Sequence, residues 1–171
     1  MSGDVVFEAV LDDGGALRLR SISDDVARPE VVSEYGEWGE IDPAAKSLSL
    51  DRWLIEVQDE GEGWAAVGDM SAHPQWYGAS PGSRAMNIGI GLVAEARGRG
   101  IGWRAQAGLA AHLHASGVVR VEASTDVTNA AEQRALSRAG FVYEGTLRGA
   151  QVRADGRHDL QVWSHLVARA D

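Results

Sequence analysis

No cysteine occurs in the 171 residues, which removes disulfides, thiolate nucleophiles and cysteine-ligated metal from the chemistry open to the chain. Nor does any apolar run approach the ~20 residues a membrane-spanning helix needs. The opening stretch MSGDVVFEAVLDDGG has acids where a signal peptide needs basic residues. The cytoplasm is the expected compartment, with no membrane partner. Basic side chains are also scarce, 16 against 25 acidic, giving a formal net charge of −9. That balance argues against nucleic acid and anionic surfaces and suits a cationic partner, although acidity by itself also serves solubility. At this length a single domain over residues 1–171, with a buried core, is expected.

What is present is a clear succession of hydrophobic periods. VVFEAVL (5–11) and ALRLRSI (16–22) alternate as strands around the turn DDGG. Cap-like Ser23 and Asp24, then Asp42 with Pro43, predict two short helices between Asp24 and Leu54. RWLIEVQ (52–58), WAAVGDMSAH (64–73) and RAMNIGIGLV (84–93) predict an antiparallel meander. Over 101–116 the period changes, with Ala105, Leu109 and Leu113 forming the stripe of an amphipathic helix. VVRVEAST (118–125) returns to strand alternation. NAAEQRALSRAGF then predicts a helix capped by Asn129, with Glu132 as capping-box partner, Gly140 as left-handed terminator and Phe141 folding back onto Leu136. Two strands, about 141–150 and 157–167, flank a turn at Gly156. The expected class is α+β: a mixed, mostly antiparallel central sheet with flanking helices, and a parallel, right-handed crossover at 84–125.

Between strand and helix lies AEARGRGIGW (94–103). Gly98, Gly100 and Gly102 allow backbone N–H groups to approach an anion, the helix N-terminus adds its dipole, and Arg97 and Arg99 add planar donors. A diphosphate is the natural guest. The chain has no Gly-x4-Gly-Lys-Ser/Thr triphosphate loop. Gly89-x-Gly91-x-x-Ala94 imitates a dinucleotide fingerprint but falls inside a strand. A flexible turn is the plain alternative; the strand before and the helix after weigh against it.

In that context Arg97-x-x-Gly100-x-Gly102 resembles the acetyl-CoA pyrophosphate loop of the GNAT superfamily of N-acetyltransferases. The resemblance spans about Leu17 to Leu166, and NAAEQRALSRAGFVYEG and DGRHDLQVW extend it towards the branch of ribosomal-protein alanine N-acetyltransferases. It implies the GNAT-type acyl-CoA N-acyltransferase fold. It also implies acetyl-CoA as donor without a metal, and a primary amine on a protein N-terminus, polyamine or aminoglycoside-like molecule as acceptor. Homodimeric assembly is left open. Ile90, Gly91 and Leu92 would pair with the pantetheine arm. Arg97, Gly98, Arg99, Gly100, Ile101 and Gly102 would hold the pyrophosphate, and Asn129 would contact the arm.

The catalytic acid and base do not follow from the resemblance. Asn87, which cannot act as a base, stands where many relatives have glutamate; Leu136 replaces a tyrosine acid; Glu132 replaces a serine of the ribosomal branch; and Gln151 replaces a glutamate. Asn87, Glu132, Asp69 and His73 are the candidates, alongside Glu37, Glu40 and His158. Asp159 is expected to order the last hairpin. Trp38, Trp76 and Tyr77 are candidates for the acceptor pocket, and Trp53 for the core. His112 and His114, two residues apart on a helix, diverge too far to share a metal. A non-catalytic CoA-binding or sensing module of the same fold is the alternative, because Asn87 and Leu136 depart from the family pattern.

Overall fold

Alternating apolar residues assemble one eight-stranded sheet in the order β1-β2-β3-β4-β5-β6-β8-β7. The computed structural model describes residues 3–43 and 49–167. β1 (Val5–Val10), β2 (Ala16–Ile22), β3 (Asp51–Gln58), β4 (Ala65–Trp76) and β5 (Arg84–Leu92) run antiparallel in chain order. α1 (Ile101–Ala115) then returns the chain to β6 (Arg120–Asp126), which pairs parallel to β5. After α2 (Ala130–Arg138), β7 (Val142–Arg153) and β8 (Gly156–Leu166) form the closing hairpin, with β8 beside β6. This is the expected mixed, mostly antiparallel sheet with flanking helices. No described helix is long and apolar enough to cross a membrane.

The core is the α1 stripe against one sheet face. Ile101, Ala105, Leu109 and Leu113 pack with Leu17, Leu19, Ile55, Met70, Met86 and Val121, all nearly inaccessible. On the strands the intervening residues are polar, and there Arg18 and Arg20 both donate to Glu56, at 2.7 and 2.8 Å. Burial opposes ionisation of Glu56, but the two guanidiniums outweigh it and hold the carboxyl below its usual range.

The expected helix after Ser23 and Asp24 does not form. Ser23 Oγ turns back to Asp25, Arg28 reaches across to Asp69, and Pro29 interrupts a stretch without a helical stripe. Among the described residues there, regular structure is one 3₁₀ turn, Glu34–Gly36, whose Tyr35 N–H donates to Ser33 Oγ. The second expected helix, starting at Asp42 and Pro43, runs into 44–48, outside the described residues.

α2 begins as expected at Asn129, whose side chain accepts from the Glu132 N–H at 3.2 Å. The reciprocal capping-box bond is absent, since the Asn129 N–H donates to the Asp126 carbonyl at 3.0 Å. Glu132 is thereby left to another role. The helix stops at Gly140, φ 89°, and Phe141 N–H donates to the Leu136 carbonyl. In the last hairpin a bulge forms opposite Asp159, whose carboxylate accepts from the Gly149 N–H at 2.6 Å.

Helix α1 approaches β1 closely at Gly108, where an added Cβ would lie 2.4 Å from ring carbons of Phe7. Alanine inside a helix normally gains about 1 kcal/mol over glycine, whereas overpacking costs about 1–3 kcal/mol. Gly108→Ala is therefore expected to lower the urea-unfolding free energy by up to about 2 kcal/mol, with Phe7→Leu recovering most of the loss. A Gly108→Ala protein as stable as wild type would mean that the helix and β1 pack loosely.

Candidate active site

β5 and β6 can pair only at their beginnings. Met86, Asn87 and Ile88 match Val121, Glu122 and Ala123, after which β5 stays with β4 as far as Leu92 and β6 stays with β8 as far as Asp126. The strands part, and the backbone of Gly89 to Leu92 faces the gap without a strand partner. Among the expected donor-site residues, Ile90, Gly91 and Leu92 lie on this edge. An unpaired edge can take an amide-bearing chain as an added strand.

Beyond Leu92 the glycine loop turns into α1. Gly98 and Gly100 have φ of 80° and 76°, and Gly100 is the N-cap; side-chained residues rarely hold that conformation. Among the described residues no backbone acceptor serves the N–H groups of Gly98, Arg99 or Gly100. With those of Ile101 and Gly102 they make a run of donors at the helix entrance, an arrangement able to accept an anion.

The arginines brace the loop rather than line it. Arg97 donates to the carbonyls of Leu92, at 2.9 and 3.1 Å, and of Val32, at 2.7 Å. Arg99 lies between Asp13 and Asp59, at 2.8 and 2.6 Å, and those two carboxylates hold its guanidinium more firmly protonated. Arg104 reaches Asp12 at 2.6 Å. The indole of Trp103 sits between the guanidiniums of Arg104 and Arg138, 4.3 and 4.5 Å from its ring centre.

Where the strands part, the gap opens into a cavity of about 320 Å³. Ile88 to Ile90 form one wall, Ser124 to Asp126 the other, and Gln106, Asn129 and Glu132 close it on the helix side. The far side is covered by Val31 to Trp38 and by Gln151 and Arg153 of β7. A more open depression of about 600 Å³ lies between β1 to β3 and the end of α1, around Trp53 and His112; it contains none of the loop or gap residues.

Of the two carboxyls that line the cavity among the described residues, Glu132 has no ion pair and Asp126 does. Burial pushes Glu132 up to about 7, against the opposing effect of the nearby Gln106 amide. Asp126 shows the contrary arrangement. Burial disfavours its charge, but Thr128 donates twice to one oxygen while His158 Nδ1 and Arg153 Nη1 each approach the other at 2.8 Å. Its carboxyl is held below the usual range. Arg153 also donates to Gln151 and faces the Tyr35 ring, and Ala154 N–H donates to the Glu37 carbonyl. Thus the β7–β8 turn is tied to the segment covering the cavity.

The other sequence candidates lie elsewhere. Asp69, His73 and Asn87 face away from the helices and do not line the cavity, and Asp69 is paired with Arg28 at 3.2 Å. Leu136 is fully buried. Trp38 lines the cavity, whereas Trp76 and Tyr77 lie at the opposite end of β5, with the Tyr77 hydroxyl donating to Glu122. Trp53 is core. His112 meets Trp53 edge-on and His114 bonds His165, so the two histidines do diverge. Glu37 and Glu40 are exposed on the covering segment, and His158 acts through Asp126. Sequence reasoning missed Gln106, Tyr35, Asp126 and Arg153. A glutamine inside the apolar α1 stripe was the available signal for the first; the others meet only through the hairpin's return.

Comparison with known proteins agrees with the fold. The sequence model of the family described as "Acetyltransferase (GNAT) domain" matches residues 10–142. No curated protein matches the chain. Among solved structures, Mycobacterium smegmatis RimJ in complex with CoA-disulfide aligns over 96% of this chain and 88% of its own, with TM-score 0.68 and 18% identity. RimL, a ribosomal L7/L12 alpha-N-protein acetyltransferase in complex with coenzyme A, aligns over 72% and 64%, with TM-score 0.57 and 22% identity. MccE, a microcin C7 self-immunity acetyltransferase bound to acetyl-CoA and AMP, aligns over 69% and 61%, with the same TM-score and identity. This chain therefore spans less than two thirds of the RimL and MccE chains, and the likeness is one of fold.

The raised Glu132 carboxyl has a signed consequence for stability. The unfolded chain ionises near the ordinary value of 4.5 and the folded chain near 7, so the folded state loses stability as pH rises between them. Relative to Glu132→Gln, wild type should lose roughly 3 kcal/mol across that interval and no more above it. Denaturant unfolding of both proteins from pH 4.5 to 8 measures the difference; a flat difference would place the carboxyl in water.

Proposed function

The chain belongs to the GNAT acetyltransferase family, and from that premise we propose that it carries acetyl from acetyl-CoA to a primary amine by direct attack, with Glu132 as general base. The observation that carries this reading is the meeting, at one parting of the sheet, of an open strand edge, a backbone anion cradle and a carboxyl held near neutrality. The pantetheine amides would pair along Ile90, Gly91 and Leu92. The diphosphate would rest on the N–H groups of Gly98 to Gly102, with Arg97 and Arg99 fixing the loop's shape and supplying charge behind it. Asn129, which lines the cavity while capping α2, can use its amide group towards the arm.

An amine must lose its ammonium proton before it attacks. Glu132 can accept that proton near pH 7, where an ordinary glutamate would be a weaker base. As the N–C bond forms and the C–S bond breaks, a β5 backbone N–H near Leu92 would stabilise the carbonyl oxygen. The departing sulfur takes up a proton, and no bond to the enzyme is needed. Asn87, Asp69 and His73 have no part in this reading because none lines the cavity.

The acceptor approaches under the covering segment, where Asp24, Asp25, Glu30, Glu34, Glu37, Glu40 and Asp42 far outnumber the single Arg28. Such a surface attracts cations. It suits a basic protein N-terminus, a polyamine or an aminoglycoside-like amine. The buried Leu136, standing where relatives have an acid, favours a second reading as a non-catalytic CoA-binding module; Glu132 speaks for turnover.

Two substitutions test the reading separately. Glu132→Gln should lower kcat by about 10²–10⁴-fold with acetyl-CoA affinity kept, and should abolish the acid limb near pH 7 in free-thiol assays. Full activity in that variant would remove Glu132 from the chemistry. At Gly102 a Cβ has room, 3.6 Å from Leu92, and an acid in the first helical turn favours folding. Gly102→Asp should therefore keep Tm yet weaken acetyl-CoA binding at least tenfold by calorimetry, about 1.4 kcal/mol, while Gly102→Ala stays near wild type. Equal affinity in all three would move the diphosphate off the loop.

A further inference from the structure

Gln106 is the most buried polar side chain at the cavity, 1% exposed, and neither its amide nitrogen nor its amide oxygen has a hydrogen-bond partner. It belongs to α1, among the fully buried Ala105, Leu109 and Ala110, and it reaches the cavity beside Glu132 of α2. An apolar residue would satisfy that packing better, because a buried amide left unpaired is a standing cost. We propose that Gln106 is the positioning residue for Glu132, holding its carboxyl group between α1 and α2 in both protonation states. The proposal rests on the reading of Glu132 as the base.

An amide suits this task because it offers a donor and an acceptor on one rigid plane. A carboxylate would accept from Gln106 Nε2, and a protonated carboxyl would donate to Gln106 Oε1. A small rotation of either side chain is enough to exchange one bond for the other, so the base can take a proton without losing its place. Neither lysine nor leucine could do both. The missing capping-box bond fits this assignment: Asn129 N–H is already bound to Asp126, which leaves the Glu132 carboxyl free for α1.

The charged surroundings leave this role to Gln106. Asp126 on β6 and Arg153 on β7 line the same cavity, but they are paired with each other at 2.8 Å, and His158 of β8 is bound to the same Asp126 oxygen. The arginines of α2 itself, Arg134 and Arg138, line a separate groove with Ser137. On the covering segment the neighbours are Ser33, Tyr35 and Trp38. Glu132 is thus left with burial, which resists its charge, and with one neutral amide that can oppose that resistance.

The test is the titration of Glu132 followed by carboxyl carbon NMR, its signal assigned from Glu132→Gln, in wild type and in Gln106→Met. Methionine keeps the length and removes both hydrogen-bonding groups; Gln106→Leu serves if the first variant folds poorly, and either should unfold at the wild-type temperature or above. The expected result is an upward move of the Glu132 midpoint by a pH unit or more, with the acid limb of kcat/KM for amine acetylation moving by the same amount. A midpoint that moves while the limb stays supports the Gln106–Glu132 contact and overturns Glu132 as base. A midpoint unchanged in both variants overturns the proposal, whatever their activity.

Discussion

The parting of β5 from β6 is the constraint on which the rest depends. A parallel pair held at three registers leaves a strand edge without a partner strand in the middle of an otherwise continuous sheet, an arrangement that is costly unless water, a ligand or another segment satisfies it. Each strand is kept in place by its outer neighbour, β4 for β5 and β8 for β6. The gap therefore does not collapse, and Gln106 of α1 with Asn129 and Glu132 at the start of α2 close it on the helix side. Loop, cavity and carboxyl all follow from that one divergence.

Holding such a gap open in a protein of net charge −9 gives its arginines a structural task. Arg97 ties the strand end to the covering segment through two carbonyls, while Arg99 and Arg104 fasten the loop to Asp59, Asp13 and Asp12. These pairs are partly exposed, so each is weak in isolation. Their value lies in geometry, since several anchors around one short loop restrain the backbone that carries its unpaired N–H groups. Pre-set donors of this kind bind an anion without reordering the backbone first.

Periodicity made the strands, both helices and the parallel crossover legible, because alternation and the α1 stripe are local properties of the chain. The glycine loop was legible through its setting between strand and helix. What escaped was whatever depended on competition between partners. Ser23 and Asp24 look like a helix cap, yet Asp25, Arg28 and Pro29 divert the segment into a turn. Glu132 looks like a capping-box residue until Asp126 takes the Asn129 amide. Arg97 and Arg99 suggest phosphate ligands by their type, although their side chains are bound to the nearby Leu92 carbonyl and to a carbonyl and carboxylates far away in sequence. Arg153 comes to the cavity only because the last hairpin folds back onto β6, which no local pattern announces.

The same cavity keeps two carboxyl groups, Asp126 buried and Glu132 half-buried, in opposite conditions. Asp126 receives two donors from Thr128 and faces Arg153 and His158, so it remains charged and serves to fix the hairpin against the covering segment. Glu132 is given burial and a neutral amide, so its proton is held loosely near neutral pH. If both were paired with cations, neither could take a proton at pH 7; if neither were, the hairpin would lose its anchor and the cavity its far wall. Environments that push two acids apart are how one site separates a structural charge from a reactive one. Here the division follows the chain: the acid before α2 is bound by the hairpin, and the acid in its first turn is left facing the gap.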